Sequence, residues 1–202
     1  AIREAGGIVS LVKLFSSDSK DAHRNAATVL AILAYTNLEN RTAIREAGGI
    51  APLVSLLSSA LPKTQEKAVV VLRNLSLNNP ENRTAIREAG GIVPLVNLLN
   101  SDSQDLQLLA ARVLMYLAKD NSENQIAIRE EGGIIPLVSL LIGSDCKEIQ
   151  NSALKALLNL ASNEENRADI STYVEDELSE EEGVLGWRIR LEKKAGFEVG
   201  SL

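Results

Sequence analysis

One seven-residue segment, Ile-Arg-Glu-(Ala or Glu)-Gly-Gly-Ile, occurs four times in this chain at a constant interval of 42 residues. Its copies begin at Ile2, Ile44, Ile86 and Ile128. A fixed period of this length is typical of repeat proteins, in which each unit buries its apolar surface against its neighbours. The sequence therefore predicts a stack of similar units, which favours a binding scaffold over an enzyme.

The composition limits what the core of each unit can contain and where the chain can work. Apolar residues make up 45% of the 202 residues but aromatic residues only 3%, so aliphatic side chains must fill the core, which favours packed helices. The net charge of −6 argues against general binding of nucleic acids, which needs a basic surface. No apolar run approaches the roughly 20 residues of a membrane span. Cys146 is the only cysteine, which predicts a reducing compartment, the cytoplasm and also the nucleus.

The start of one unit, residues 82–121, shows the helix signals that recur along the chain. Asn82 is predicted to cap a short first helix over residues 83–88, because its side chain can accept backbone N–H bonds. Gly90-Gly91 is predicted to stop this helix, since glycine adopts the left-handed conformation without a steric cost. Pro94 then falls near the start of a second helix, where a missing N–H costs least.

Two further apolar stripes follow in the same unit. The second helix is predicted to bury one face, formed by Ile92, Val93, Leu95, Val96, Leu98 and Leu99. Ser101-Asp102-Ser103 is predicted to break this helix and cap a third one over about residues 104–118. The apolar stripe of the third helix comprises Leu106, Leu109, Ala110, Val113, Leu114 and Leu117.

The stretch from Asn40 to Asn82, NRTAIREAGGIAPLVSLLSS…TQEKAVVVLRNLSLNNPEN, resembles an armadillo repeat along its whole length. Its style is similar to plant U-box-associated, vacuolar and beta-catenin-like repeats. The resemblance implies an all-α, right-handed superhelix of about four three-helix repeats, over residues 1–39, 40–81, 82–123 and 124–166. This solenoid is predicted to span residues 1–172, and an acidic, helical extension to follow over residues 173–202.

The resemblance also implies where a ligand would lie, along a concave groove lined by the third helices. In the family an Asn late in the third helix holds the backbone of an extended peptide, and importin alpha carries a Trp one turn earlier. The Asn place holds Ile32, Asn74, Tyr116 and Asn159 in this chain. The Trp place holds Thr28, Val70, Arg112 and Lys155. Since no Trp is present there, the chain is not expected to be a typical importin alpha.

The residues at these places predict a peptide-binding groove of a different charge. Its candidate residues are Arg73, Asn74, Arg112, Tyr116, Lys155 and Asn159. Their amides and positive charges favour an extended segment with acidic or phosphorylated side chains. Two alternatives stay open: that these residues form an ordinary solvated helix face, and that the chain is a structural module associating end-to-end or through its tail.

The tail itself departs from the repeat after Ile170. Six of the eight residues from 175 to 182 are acidic, and Ser179 with Glu182 resembles a capping box. A helix over about residues 180–194 is predicted, although the alternating residues from Trp187 also fit a strand. The tail is predicted to cover the end of the solenoid, and docking in a groove is the alternative.

Catalytic and metal-binding patterns are missing from the sequence. His23 is the only histidine, and it occupies the place of Gln65, Gln107 and Gln150, which favours a structural polar contact. Neither clustered His and Cys ligands nor a phosphate-binding glycine loop is present. The chain is therefore expected to be no enzyme, to use no cofactor or metal, and to bind a protein or peptide instead of a small molecule or nucleic acid.

Overall fold

A computed structural model describes residues 2–35 and 37–177 of the chain. Within these residues the regular structure is helical, as the sequence predicts. The twelve α-helices are α1 (Gly7–Lys13), α2 (Lys20–Tyr35), α3 (Leu38–Glu46), α4 (Ile50–Ser55), α5 (Pro62–Ser76), α6 (Pro80–Glu88), α7 (Ile92–Leu98), α8 (Gln104–Ala118), α9 (Ser122–Glu130), α10 (Ile134–Gly143), α11 (Lys147–Leu160) and α12 (Glu164–Glu177). None of these described helices is long and apolar enough to cross a bilayer.

The helices follow one another as short first, short second and long third helices, the third being α2, α5, α8 and α11. The chain forms two compact units, Ala1–Leu95 and Val96–Leu202, here called the N-terminal and C-terminal units. In the N-terminal unit α2 packs along α5, and in the C-terminal unit α8 packs along α11. These two pairs of third helices form the main cores and position the residues discussed below.

The two glycines of each Gly-Gly pair have different structural roles at the turn between the first and second helices. Gly48 has φ 76°, in the left-handed region, and so do Gly6, Gly90 and Gly132. Gly49 instead leaves no room for a side chain, because a Cβ there would lie 2.9 Å from Ile44 Cγ2 and 3.1 Å from Val12 Cγ2. The predicted helix stop is confirmed, and the second glycine adds close packing of one repeat on the next.

The predicted N-cap at Asn82 is wrong by three residues. Asn79 is in the extended conformation and caps α6, which begins at Pro80, and its Oδ1 accepts the Asn82 N–H at 3.0 Å. Asn82 lies inside the helix and is buried. The same Asn-x-x-Asn pair recurs at Asn37, Asn121 and Asn163, with corresponding distances of 2.8, 2.9 and 3.1 Å. Either of two asparagines three residues apart could be the N-cap, and in the structure the first one caps the helix.

The predicted third helix over residues 104–118 is confirmed, since α8 has these bounds and Ser103 Oγ accepts the Leu106 N–H. Five of the six residues of its apolar stripe are buried, and Leu109 is half-buried. In α7, Val93 is exposed although it was placed on the buried face. With about 100° between successive residues, the buried Ile92, Leu95 and Val96 fall within one arc of the helix, and Val93 lies outside that arc.

The sequence predicts a helix over about residues 180–194 or a strand from Trp187, a capping box at Ser179 and Glu182, and a cap for the end of the solenoid. These features lie outside the described residues. The described part of the chain ends with α12, which continues as a helix to Glu177.

Candidate functional site

The six candidate residues lie on three of the long third helices. Arg73 and Asn74 lie on α5 of the N-terminal unit, Arg112 and Tyr116 on α8, and Lys155 and Asn159 on α11. Because α8 and α11 pack side by side within one unit, the last four residues share a surface formed by two neighbouring helices. We call this surface the α8–α11 face.

Asn74 is only 2% exposed, and both ends of its amide have partners within the N-terminal unit. Its Nδ2 donates to the Ala31 carbonyl at 3.0 Å, and its Oδ1 accepts from Arg73 Nη1 at 3.2 Å. The amide therefore ties α5 to α2 and at the same time holds the Arg73 guanidinium. Because the side chain is buried, this amide is not open to a peptide backbone.

Asn159 makes the corresponding contact in the C-terminal unit but is less covered. Its Nδ2 donates to the Met115 carbonyl on α8 at 2.9 Å, which leaves its Oδ1 outside this bond. The side chain is half-buried, as is that of Tyr116, which holds the same place on α8. Asn159 and Asn74 hold the same repeat position, and the Oδ1 atom of Asn159 is better placed to accept a bond from a ligand than that of Asn74.

The positive charges of the candidate site differ in their surroundings. Arg73 is half-buried, and its Nε is buried without a hydrogen-bond partner. Arg112 is half-buried and Lys155 is exposed. Arg112 and Lys155 therefore place one half-buried and one exposed cation at the same repeat position of two neighbouring helices.

Glu148, at the start of α11, has a lowered pKa to which the charge of Arg112 contributes least. Hydrogen bonds from its own backbone N–H and from the Cys146 thiol are the main causes that lower the pKa of Glu148. Burial raises this pKa by less than either hydrogen bond lowers it, and the charge of Arg112 lowers it least. The thiol lies 3.3 Å from Glu148 Oε2. Glu148 is exposed and stays ionised at neutral pH. It is therefore an anion of the chain itself that interacts with Arg112.

Sequence reasoning missed a set of polar residues in the first helices that cap the preceding third helices. Arg41 is buried, and its guanidinium donates to the carbonyls of Ala34, Tyr35 and Leu77 at 2.8, 2.9 and 2.6 Å. Burial lowers the pKa of Arg41, although arginine keeps its charge in proteins. The signal was present, because Arg or Gln recurs at Arg41, Arg83, Gln125 and Arg167.

The predicted structural role of His23 is confirmed. Its Nε2 lies 2.7 Å from the Ser17 carbonyl oxygen, in the loop before α2. Two of the glutamines at the same repeat position make the same contact: Gln107 Nε2 donates to Ser101 O at 2.8 Å, and Gln150 Nε2 to Ser144 O at 2.7 Å. Each of these side chains closes the loop between a second and a third helix.

An open cleft of about 540 Å³ lies in the C-terminal unit between the loops that lead into α8 and α11. Its lining includes Asp102, Ser139 and Asp145, all three of them exposed. Sites for small molecules are generally enclosed and mostly apolar, which this cleft is not.

Comparison with known proteins agrees with this geometry. The profile of the armadillo/beta-catenin-like repeat family matches residues 37–77, 79–119 and 121–162. An engineered protein solved by the Northeast Structural Genomics Consortium is 33% identical, with a TM-score of 0.79 over 94% of this chain and 79% of that one. A designed armadillo repeat protein in complex with the peptide (KR)4 is 29% identical, with a TM-score of 0.81 over 96% of this chain and 84% of that one.

A natural neighbour is the armadillo-repeats-only protein of Plasmodium falciparum. It is 22% identical and has a TM-score of 0.78 over 96% of this chain and 94% of that one, which shows a shared fold. No curated protein sequence matches the chain. The family profile covers more than half of the 202 residues, and the three-helix repeats that it describes are those of the structure. The chain belongs to the armadillo repeat family.

Proposed function

We propose that this chain is a non-enzymatic scaffold that binds an extended peptide segment of a partner protein along its third helices. The fold family supports this function, and so do the designed neighbours, one described in complex with a peptide and another as designed for modular peptide recognition. The U-box-associated, vacuolar and beta-catenin-like style stays a prediction from the sequence.

The observation that carries the proposal is the α8–α11 face. Arg112 and Lys155 place two cations on neighbouring helices, and Asn159 offers an amide oxygen beside them. A peptide N–H can donate to that oxygen, while carboxylate or phosphate groups of the peptide pair with the cations. Tyr116 adds a half-buried ring that can pack against a side chain of the peptide. An acidic or phosphorylated segment fits this combination.

The N-terminal unit contributes differently to the proposed binding. Since both ends of the Asn74 amide already have partners, Asn74 acts mainly by holding α5 on α2 and by positioning Arg73.

Glu148 limits the affinity of the α8–α11 face for anions. Its carboxylate interacts favourably with Arg112, so an acidic ligand competes with it. Removing this charge while keeping the shape, as in Glu148→Gln, should strengthen the binding of an acidic peptide.

Fluorescence anisotropy with two labelled ten-residue peptides tests the proposal, one built from Glu and Ser and one from alternating Lys and Arg. We expect the acidic peptide to bind, and its affinity to fall as the salt concentration rises. Its affinity for the Arg112→Glu/Lys155→Glu variant should be at least tenfold lower than its affinity for the wild type. Lys13→Glu/Lys20→Glu is the matched control, because it makes the same change in net charge at exposed residues of the N-terminal unit. This control should keep most of the affinity.

The two peptides separate the parts of the proposal. Binding of the basic peptide alone would overturn the choice of an acidic ligand but keep peptide binding. Binding of neither peptide to the folded protein would count against the α8–α11 face as a site for extended peptides of either charge.

The single cysteine suggests a compartment for this binding. A single, half-buried cysteine suits a reducing environment, so we propose the cytoplasm, and also the nucleus, as the place of binding. Fractionation of cells that produce the natural protein would test this location, and recovery from a secreted fraction would contradict it.

A further inference from the structure

Lys63 and Lys67 form a pair of cations one turn apart on α5, in the N-terminal unit. With Val70 and Asn74 they follow spacings of four, three and four residues, so the four residues lie along one side of the helix, which we call the α5 line. Lys63 is exposed, Lys67 and Val70 are half-buried, and Asn74 is buried. The α5 line therefore carries its two cations at its more exposed end.

The α5 line corresponds, by the repeat, to the residues that form the α8–α11 face. Lys63 holds the place of Glu148 on α11, Val70 that of Lys155, and Asn74 that of Asn159. The two lysines thus lie on the side of their third helix that corresponds to the proposed peptide-binding side of α11.

The charge of Lys63 is unfavourable for the helix that contains it. Lys63 is the second residue of α5, and the second residue of each other third helix is acidic, namely Asp21, Asp105 and Glu148. A carboxylate there interacts favourably with the positive end of the helix dipole, whereas an ammonium group interacts unfavourably. Lys67, four residues further on, adds like-charge repulsion. Helix stability therefore does not explain the two lysines.

One of the two ammonium groups is neutralised by a carboxylate and the other is not. Lys67 Nζ pairs with Glu66 Oε1 at 2.9 Å, whereas Lys63 has no ion pair or hydrogen bond of its side chain within residues 2–35 and 37–177. On the adjacent helix α2, the carboxylate of Asp21 pairs with Arg24 at 2.9 Å. The α5 line thus has one unneutralised positive charge beside an ion pair.

We propose that Lys63 and Lys67 together bind a phosphorylated side chain of the peptide segment, which rests on the proposed function and names the anion that the N-terminal unit selects. Residues four apart on a helix have Cβ atoms roughly 5–6 Å apart, so both ammonium groups can reach one ligand group. A phosphate brings nearly two negative charges and three acceptor oxygens, enough for Lys63 and for Lys67 released from Glu66.

A carboxylate fits this pair of lysines less well. With its single charge it either displaces Glu66 from Lys67, which exchanges one ion pair for another, or forms an exposed pair with Lys63, which contributes little. The pair therefore favours phosphate over carboxylate, and a phosphorylated segment over one that is only acidic.

Fluorescence anisotropy with three versions of one ten-residue peptide of Glu and Ser tests the proposal. The serines are unmodified, all phosphorylated, or all replaced by glutamate. We expect the wild type to bind the phosphorylated version at least fivefold more tightly than the glutamate version. Lys63→Gln/Lys67→Gln should remove this gain and change the affinity for the unmodified peptide less than twofold. Lys13→Gln/Lys20→Gln is the matched control, because it removes the same charge from exposed residues of the N-terminal unit, and it should keep the gain.

Lys63→Glu distinguishes a binding lysine from an ordinary solvated one. It places an acid where the other third helices have one, so the melting temperature should rise by roughly 1–3 °C while the affinity for the phosphorylated peptide falls at least tenfold. Lys13→Glu, the same charge reversal at another exposed residue of this unit, should change that affinity less than twofold. A more stable Lys63→Glu variant with unchanged affinity would overturn the proposal.

The peptides also separate this site from the proposed function. Equal affinity for the phosphorylated and glutamate versions, or a gain that survives Lys63→Gln/Lys67→Gln, would overturn the phosphate site and leave peptide binding standing. Binding of none of the three peptides to the folded protein would overturn both. Displacement of the phosphorylated peptide by an equal concentration of inorganic phosphate would overturn the choice of a phosphorylated segment as the ligand.

Discussion

The N-terminal and C-terminal units use the same repeat but present different third-helix surfaces. In the N-terminal unit the exposed residues of α2 include Val29, Ile32 and Tyr35, and Asn74 of α5 is buried. In the C-terminal unit Arg112, Lys155 and Asn159 give α8 and α11 a basic, polar face. The constant segment that sets the 42-residue period thus specifies how helices stack, and we propose that the positions that vary between copies decide what each unit binds.

The two units also differ in how completely they satisfy buried polar groups. In the N-terminal unit Arg45 Nε donates to Asn82 Oδ1 at 3.0 Å. In the C-terminal unit the corresponding atoms, Arg129 Nε and Asn166 Oδ1, are both buried without a hydrogen-bond partner. Arg129 instead pairs with Glu165 at 2.7 Å and lies 4.0 Å from Asp169. A surface ion pair has replaced the buried bond near the end of the described chain.

The largest expected effect tests what the units share. A Cβ at Gly49 would lie 3.0 Å from the Ile44 carbonyl oxygen, and one at Gly133 would lie 2.9 Å from that of Ile128. Gly49→Ala and Gly133→Ala should therefore each lower the free energy of unfolding by about 3 kcal/mol, the upper part of the range for overpacking. Urea denaturation followed by circular dichroism measures this. Clearly different losses of unfolding free energy in the two variants would show that the two Gly-Gly turns are not equivalent.

Asn82 and Asn166 test the difference in buried hydrogen bonds. The Asn82 amide donates to the carbonyls of Arg41 and Leu75 and accepts from Arg45, whereas Asn166 donates to Gln125 and leaves its oxygen unpaired. Asn82→Ala should cost about 3 kcal/mol and Asn166→Ala about 1 kcal/mol, given the cost of leaving buried groups unsatisfied. The same denaturation measurement applies, and equal costs would remove this distinction between the units.

Asn74 and Asn159 allow a comparison of an amide that stabilises the fold with one that is proposed to bind the peptide. Asn74→Ala should lower the free energy of unfolding by about 2 kcal/mol, because it removes two partners of a buried amide. Asn159→Ala should cost about 1 kcal/mol, since one bond is lost at a half-buried position, but should weaken acidic-peptide binding several-fold. Denaturation and anisotropy on both variants give the comparison. If Asn74→Ala weakened peptide binding more than Asn159→Ala and left stability unchanged, the two asparagines would have the opposite roles.

The smallest expected effect concerns Glu148 and pH. Its pKa is lowered in the folded chain, so its contribution to stability is present above the pKa of the unfolded chain and is lost as pH falls through the folded value. Glu148→Gln should flatten the acid side of the stability profile slightly and raise the affinity for an acidic peptide about threefold at neutral pH. Thermal unfolding between pH 3 and 7 checks the first effect. Lower affinity in the variant would contradict a competing role for Glu148.

Some features of the fold and the site could be predicted from local sequence patterns. The bounds of α8 follow from Ser103 and the apolar spacing after it, and the helix stops follow from the Gly-Gly pairs. The capping error at Asn82 arose because Asn79 and Asn82 both suit a cap, and only the extended backbone at Asn79 separates them. The role of Arg41 was missed because a charged residue in a short polar helix is usually solvated.

The sequence by itself determined the all-α repeat, the third helices and the family, because the period, the glycine pairs and the apolar spacing act within a few residues of the chain. Tertiary structure decided which copies of a repeat position are covered. Ile32 and Asn74 hold one repeat position and Val29 and Val71 another, yet the first of each pair is exposed and the second is buried. The physical reason is that burial depends on the neighbouring helix, and a local pattern does not show which units have one.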